Sequence, residues 1–136
     1  MDQKNMASNI LVIDDGEIDN IIFEKVVKRV MSNSRIDACS DARSAIAKLM
    51  HISKTEPHLF PDYIFLDLTM PVMDGWDFLE EFRRLNIDPL KQSKIYLLSS
   101  SISIKDINRS RTNPLVFDFI SKPMNRQKAE AIFEVA

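Results

Sequence analysis

Apolar residues in this chain fall into five short runs, separated by segments in which they recur every three or four positions. The runs lie at about 9–13, where Ile10-Leu11-Val12-Ile13 is wholly apolar, and at 35–39, 63–66, 95–98 and 116–120. Short continuous runs rich in β-branched and aromatic residues read as strands, and those apolar throughout as strands buried on both faces. The 35–39 run is the weakest and is expected at a sheet edge. Between the runs, Ile18, Ile22, Val26 and Val30 repeat every four residues and predict a first helix with that stripe buried. Asp41 reads as the N-cap of a second helix whose Ala45, Ile46 and Leu49 face inward. A third helix is expected from about Trp76 to Leu85 on Phe78, Leu79 and Phe82, and a last one over roughly 125–135. Ser103 can cap a fourth helix of about 104–111, whose face is thinly hydrophobic and therefore weakly anchored. Residues 51–62, with Pro57 and Pro61, are expected to form a loop, long for its position.

Strands alternating with helices imply a parallel sheet with helices on both faces and right-handed crossovers. Five such units suit a doubly wound α/β fold of flavodoxin-like strand order 2-1-3-4-5, with strands one and three at the switch point. The 136 residues suffice for one domain, 1–136, with a core of about 9–135. A composition 45% hydrophobic and 28% charged is that of a globular protein. A net charge of −2 gives no general attraction for nucleic acid or an anionic membrane. Apolar runs of about four residues fall far short of the roughly 20 that span a bilayer. Met1-Asp2-Gln3-Lys4-Asn5 has no apolar signal region, so a cytoplasmic protein is expected. Cys39, the only cysteine, excludes an internal disulfide, and its apolar setting suits a small core residue better than a nucleophile.

The chemistry gathers at strand ends. Tyr63-Ile64-Phe65-Leu66 ends on Asp67, a charge that cannot stay unpaired in the core and so should emerge at the carboxyl edge of the sheet. Pro71 and the Asp74-Gly75 turn then fix the path of the chain around it. The first strand ends on Asp14-Asp15. Parallel strands deliver these acids to one edge, where three carboxylates repel unless a cation sits among them. A hard divalent ion is the natural solution, and Mg²⁺ prefers one or two carboxylates with waters and a phosphate oxygen. One strand-end aspartate alone would be read as a helix N-cap; an adjacent pair matched by a third acid favours a metal site. Strand four ends in Leu98-Ser99-Ser100-Ser101, and strand five runs into Ser121-Lys122-Pro123. Taken singly these are a serine-rich turn and a solvated lysine. Beside the acids, a hydroxyl and an ammonium are what a phosphoryl group on Asp67 would need. Pro123 presets the path after Lys122, and a cis bond is open to an X-Pro pair.

Together, Asp14-Asp15, the FLDLTMPVMDGW segment, Ser99 and Lys122-Pro123 resemble the receiver domain of two-component response regulators, in order and spacing, from about residue 9 to 135. The resemblance implies that Asp67 accepts a phosphoryl group from a histidine kinase or histidine phosphotransfer protein. It implies Mg²⁺ bound by Asp15 directly, by Asp14 largely through water, by Asp67 and by the backbone carbonyl of Thr69. Ser99 would be the switch hydroxyl, where threonine is more usual, and Lys122 the phosphate partner. Phe119 occupies the aromatic switch position, where tyrosine is common, and Gly16 stands where many members carry another acid or polar residue.

Such a protein is not an enzyme on a small substrate, and a chain ending after its fifth helix is expected to act alone, by contact with an unknown downstream protein or by onward phosphotransfer. A haloacid-dehalogenase-like phosphohydrolase would need an acid two residues after the nucleophile, where Thr69 stands. A flavin or nucleotide module would need a first loop that cradles phosphate, whereas Asp14-Asp15-Gly16-Glu17 repels it. The remaining alternative is a receiver-like interaction domain that works without phosphorylation. His51 and His58 have no metal-ligand spacing and are expected in solvent.

Overall fold

A computed structural model describes residues 8–101 and 103–135; the amino-terminal Met1–Asn5 lies outside them. Five strands, β1 (Asn9–Ile13), β2 (Arg35–Cys39), β3 (Tyr63–Asp67), β4 (Lys94–Ser99) and β5 (Val116–Ser121), form one sheet in the order β2-β1-β3-β4-β5. Every neighbouring pair is parallel. Five helices connect or follow them: α1 (Glu17–Val30), α2 (Ala42–Thr55), α3 (Gly75–Arg84), α4 (Ile104–Arg111) and α5 (Arg126–Phe133). This is the flavodoxin-like doubly wound arrangement, with β1 and β3 adjacent at the reversal of strand order.

Side chains alternate across the sheet, so each central strand feeds two cores. On one face Leu11, Ile13, Ile64, Leu66, Ile95 and Leu97 pack with Ala45 and Leu49 of α2 and Phe78 and Phe82 of α3. On the other, Ile10, Val12, Phe65, Tyr96 and Leu98 pack with Phe23 and Val27 of α1 and Ala129 and Phe133 of α5. Phe65 anchors this second core, its ring 4.8 Å from Phe23 and 5.1 Å from Tyr96. The N-caps expected at Asp41 and Ser103 are present, accepting from the backbone N–H of Ser44 and Asp106. On α4, Ser110 is the one buried residue among those described, which fits a weakly anchored helix.

Two sequence expectations fail. On α1 the buried residues are Phe23 and Val27, while Ile18 is 72% and Ile22 38% exposed. Val26 and Val30 are partly buried against the second core. Strict four-residue spacing advances about 40° per step around a helix, so a stripe from Ile18 to Val30 leaves the core-facing side. The segment 51–62 is not a plain loop either. Helix α2 runs to Thr55, and Pro57–Leu59 form a 3-10 turn. Proline excludes helix at the residue before it, Glu56, and leaves Thr55 free to be helical. His51 and His58 are exposed, and Cys39 is half-buried, its thiol pKa raised chiefly by burial.

Candidate functional site

Parallel register carries the strand-end residues to one edge. Ile13 is level with Leu66, so Asp14 and Asp67 follow side by side, and Ser99 is level with Ser121, one residue before Lys122. The Asp14 N–H donates to the Cys39 carbonyl at 3.0 Å, which extends the β1–β2 pairing up to the acid. Asp14 and Asp67 are buried, 2% and 4% exposed, and Asp15 faces solvent. One carboxylate oxygen from each lies within 4.8 Å of the others, a set of hard oxygen donors open on the Asp15 side. That donor chemistry fits a divalent cation of the Mg²⁺ type.

Lys122 stands against this set. Its Nζ is 2.6 Å from Asp14 Oδ2, 3.5 Å from Asp67 Oδ1 and 3.2 Å from Asp19 Oδ2. Burial and then the charge of Asp14 raise the Asp67 pKa from 3.8 to about 6, although Lys122 and the Thr69 N–H pull it back. Burial works against the Lys122 ammonium, but its bond to Asp14, the charges of Asp67 and Asp14 and its bond to Asp19 outweigh that and raise its pKa. The site therefore holds two buried acids that repel each other and one cation between them.

The β3–α3 loop is shaped by backbone sterics. The Gly75 N–H donates to the Leu68 carbonyl at 3.0 Å. A Cβ on Gly75 would meet the Asp67 carbonyl oxygen at 2.8 Å and Leu68 Cα at 2.9 Å, so only glycine lets α3 begin this close to the acid. Asp74 closes a capping box with Asp77. Between Pro71 and Met73 the chain makes a tight turn, Met73 N–H to Pro71 carbonyl at 2.8 Å, with Val72 at φ 70°. Positive φ at a β-branched residue is strained. The Thr69 N–H donates to Asp67 Oδ1 at 3.2 Å. The Lys122–Pro123 peptide is cis.

Ser99 is buried at the edge beside these groups, but its hydroxyl donates to the Ser101 carbonyl at 2.6 Å and thus serves its own loop. Phe119 is partly buried and lines a groove of about 500 Å³ between α4 and β5 with Ile107 and Ser110.

Three contributors are absent from the sequence reading. Asp19 reaches Lys122 across 103 positions of sequence. The Asn20 amide donates to the Asp14 carbonyl at 2.9 Å. Lys128 holds the strand-end turn, donating to the carbonyls of Ser121 at 2.7 Å and Pro123 at 3.1 Å. Gly16 was the visible signal for the first: no side chain there separates Asp14 from Asp19. The other two leave no local mark.

Comparison with known proteins agrees with this geometry. The family model for the response regulator receiver domain matches residues 10–134. Response regulator Rcp1 of Synechocystis is 28% identical over 106 residues, covering 78% of this chain and 71% of that protein. A protein-glutamate methylesterase/protein-glutamine glutaminase of Treponema denticola is 28% identical over 120 residues, covering 88% of this chain. The chain spans 30% of that relative's length, and 7% of a Dictyostelium discoideum hybrid signal transduction histidine kinase that it also matches. Among solved structures, a two component response regulator from Cytophaga hutchinsonii superposes with TM-score 0.84 at 25% identity, over 93% of both chains. Chemotaxis protein CheY4 of Vibrio cholerae shares the fold, with TM-score 0.74 at 20% identity over 96% of this chain and 100% of that one. With the family model spanning nearly the whole chain and the acids at the predicted edge, this protein belongs to the response regulator receiver domain family.

Proposed function

We propose that this chain is a receiver that accepts a phosphoryl group on Asp67 from a histidine kinase or histidine phosphotransfer protein. The observation that carries this reading is the convergence of Asp14, Asp15 and Asp67 oxygens within 4.8 Å beside the Lys122 ammonium. Asp14, Asp15, Asp67 and the Thr69 carbonyl are the groups that would hold Mg²⁺, which when bound neutralises charge on the phosphoryl oxygens. An oxygen of Asp67 attacks the phosphorus of the donor phosphohistidine in line. The O–P bond forms as the P–N bond breaks, and the departing imidazole nitrogen keeps the electron pair and takes a proton from solvent. Asp67 must be ionised to attack, and with its pKa raised only to about 6 it is largely so at neutral pH. The Lys122 ammonium, already 3.5 Å from Asp67, stabilises the added negative charge.

Signalling follows from Ser99. To reach a phosphoryl oxygen its hydroxyl must leave the Ser101 carbonyl, two residues before the cap of α4. The resulting shift of that weakly anchored helix, together with Phe119, alters the α4-β5-α5 face that a downstream protein reads. The chain works as a phosphoacceptor in the cytoplasm and not as an enzyme on a small substrate. Among the described residues no helix is long and apolar enough to cross a membrane.

Incubation with Mg²⁺ and acetyl phosphate, followed by intact mass, tests the reading. Wild type should gain one phosphoryl group and Asp67→Asn none. Labelling that persists in Asp67→Asn would move the acceptor elsewhere. An unlabelled wild type would favour a receiver that acts by protein contact alone.

A further inference from the structure

Asp19 is an acid in the first turn of α1, a place where a carboxylate favours the helix dipole without further purpose. That role does not require contact with residue 122. Yet the Lys122 Nζ, on a side chain 11% exposed, is held by three carboxylates, Asp14, Asp67 and Asp19. Two of the three belong to the set whose oxygens converge for a cation, and Asp19 stands outside it. Both Asp14 oxygens are engaged here, Oδ1 by the Gly16 N–H at 2.8 Å and Oδ2 by Lys122. Once Asp14 and Asp67 share their oxygens with a divalent cation, the ammonium meets a repelling charge on that side. Asp19 is then the carboxylate left to it.

Gly16 makes this contact available. A Cβ at Gly16 would lie 2.9 Å from Asp19 Oδ2 and 3.2 Å from Asp14 Oδ1, pressing the two acids off their present positions. We propose that Asp19 is a positioning residue: it retains the Lys122 ammonium at the site when Asp14 and Asp67 turn to Mg²⁺, and Gly16 is the gap through which it does so. This rests on the phosphoacceptor reading above.

The test follows the Lys122 ammonium by side-chain ¹⁵N NMR and Mg²⁺ affinity by calorimetry, with MgCl₂ as the only ligand. In wild type the Lys122 ammonium signal should persist with and without Mg²⁺. In Asp19→Asn it should persist without metal, held by Asp14 and Asp67, and be lost on saturation with Mg²⁺. Mg²⁺ affinity should fall about two- to fivefold, as for loss of one partly exposed ion pair. Gly16→Ala, which changes no charge, should reproduce the metal-dependent loss of signal. It should add nothing in an Asp19→Ala background, because its effect runs through Asp19. If the Lys122 signal responds to Mg²⁺ alike in wild type and Asp19→Asn, Asp19 is a helix-terminal acid only and the inference is overturned while Mg²⁺ binding stands. A wild type that binds no Mg²⁺ overturns the phosphoacceptor reading and this inference with it.

Discussion

Asp67→Asn should stabilise the metal-free protein, and by an amount that depends on pH. Asparagine keeps the shape and an Oδ1 acceptor for the Thr69 N–H but cannot ionise. The folded-state pKa of Asp67 is raised from 3.8 to about 6, so the folded chain holds the proton more tightly than the unfolded one. The sign follows: stability from this group is fully present below 3.8 and is lost as pH rises through about 6. Linkage with those two values gives the asparagine variant an advantage of about 1 kcal/mol at pH 4.5 and about 3 kcal/mol at pH 7 and above. In a domain of this size that is a rise in Tm of roughly 10 °C at neutral pH. Urea denaturation in EDTA between pH 4.5 and 8 would measure the difference directly. Saturating Mg²⁺ should then close the gap, since wild type gains about 2.7 kcal/mol at a hundredfold excess over Kd and the variant gains less. An advantage that is flat with pH, or a variant less stable than wild type at pH 7, would refute the picture of two buried acids in mutual repulsion.

Other positions give independent checks. Gly75→Ala should destabilise by about 1–3 kcal/mol, because the new Cβ meets backbone and not a yielding side chain; a neutral result in thermal melts would mean that the loop has slack. Val72→Gly should stabilise by about 0.5–1 kcal/mol, as Val72 is 88% exposed and its φ of 70° suits glycine; a loss of stability would show that the side chain has a contact worth more than the strain. Arg109→Ala removes the guanidinium 4.4 Å from the ring of Trp76, the only tryptophan, and should redden its emission and cost about 0.5–1 kcal/mol; an unchanged spectrum would place α4 away from the ring.

The fold was legible because three of the five strands, β1, β3 and β4, carry a continuous apolar run, and a parallel sheet leaves such runs only one kind of place to go. Asp67 and Asp14 were legible for the same reason, since each is the first charge after such a run; Lys122 was legible as the charge that follows β5 at the same edge. What lay beyond reach depended on distance or on phase. The grip of Asp19 on Lys122 joins positions with no common periodicity, and only the missing side chain at Gly16 hinted at it. On α1 the apolar residues Ile18 and Ile22 were assigned to the core because hydrophobicity alone does not say which way a helix is turned. Phe23 and Val27 hold the core because their rings and methyls meet Phe65 and its neighbours, a fact of the sheet and not of the helix. The direction of the Ser99 hydroxyl, toward Ser101 and not toward Asp67, is likewise set by a loop whose conformation no pattern encodes.

The sheet closes on nothing, and its two outermost strands bear on how the protein behaves when concentrated. An outer strand offers a row of backbone groups to any passing chain, a template for fibre growth. On β2 the residues Arg35 and Asp37 carry charge, the latter paired with Lys48 of α2 at 3.5 Å. On β5, Phe117 is 58% exposed and would invite such pairing, but Asp118 follows it and takes the Phe119 N–H on its own carboxylate at 2.8 Å. Lys94 lies over the Phe117 ring at 4.8 Å. A strand arriving at either margin would have to bury a charge or displace a side chain already bonded there. A sheet guarded in this way at both margins resists edge-to-edge pairing between molecules, even at high concentration.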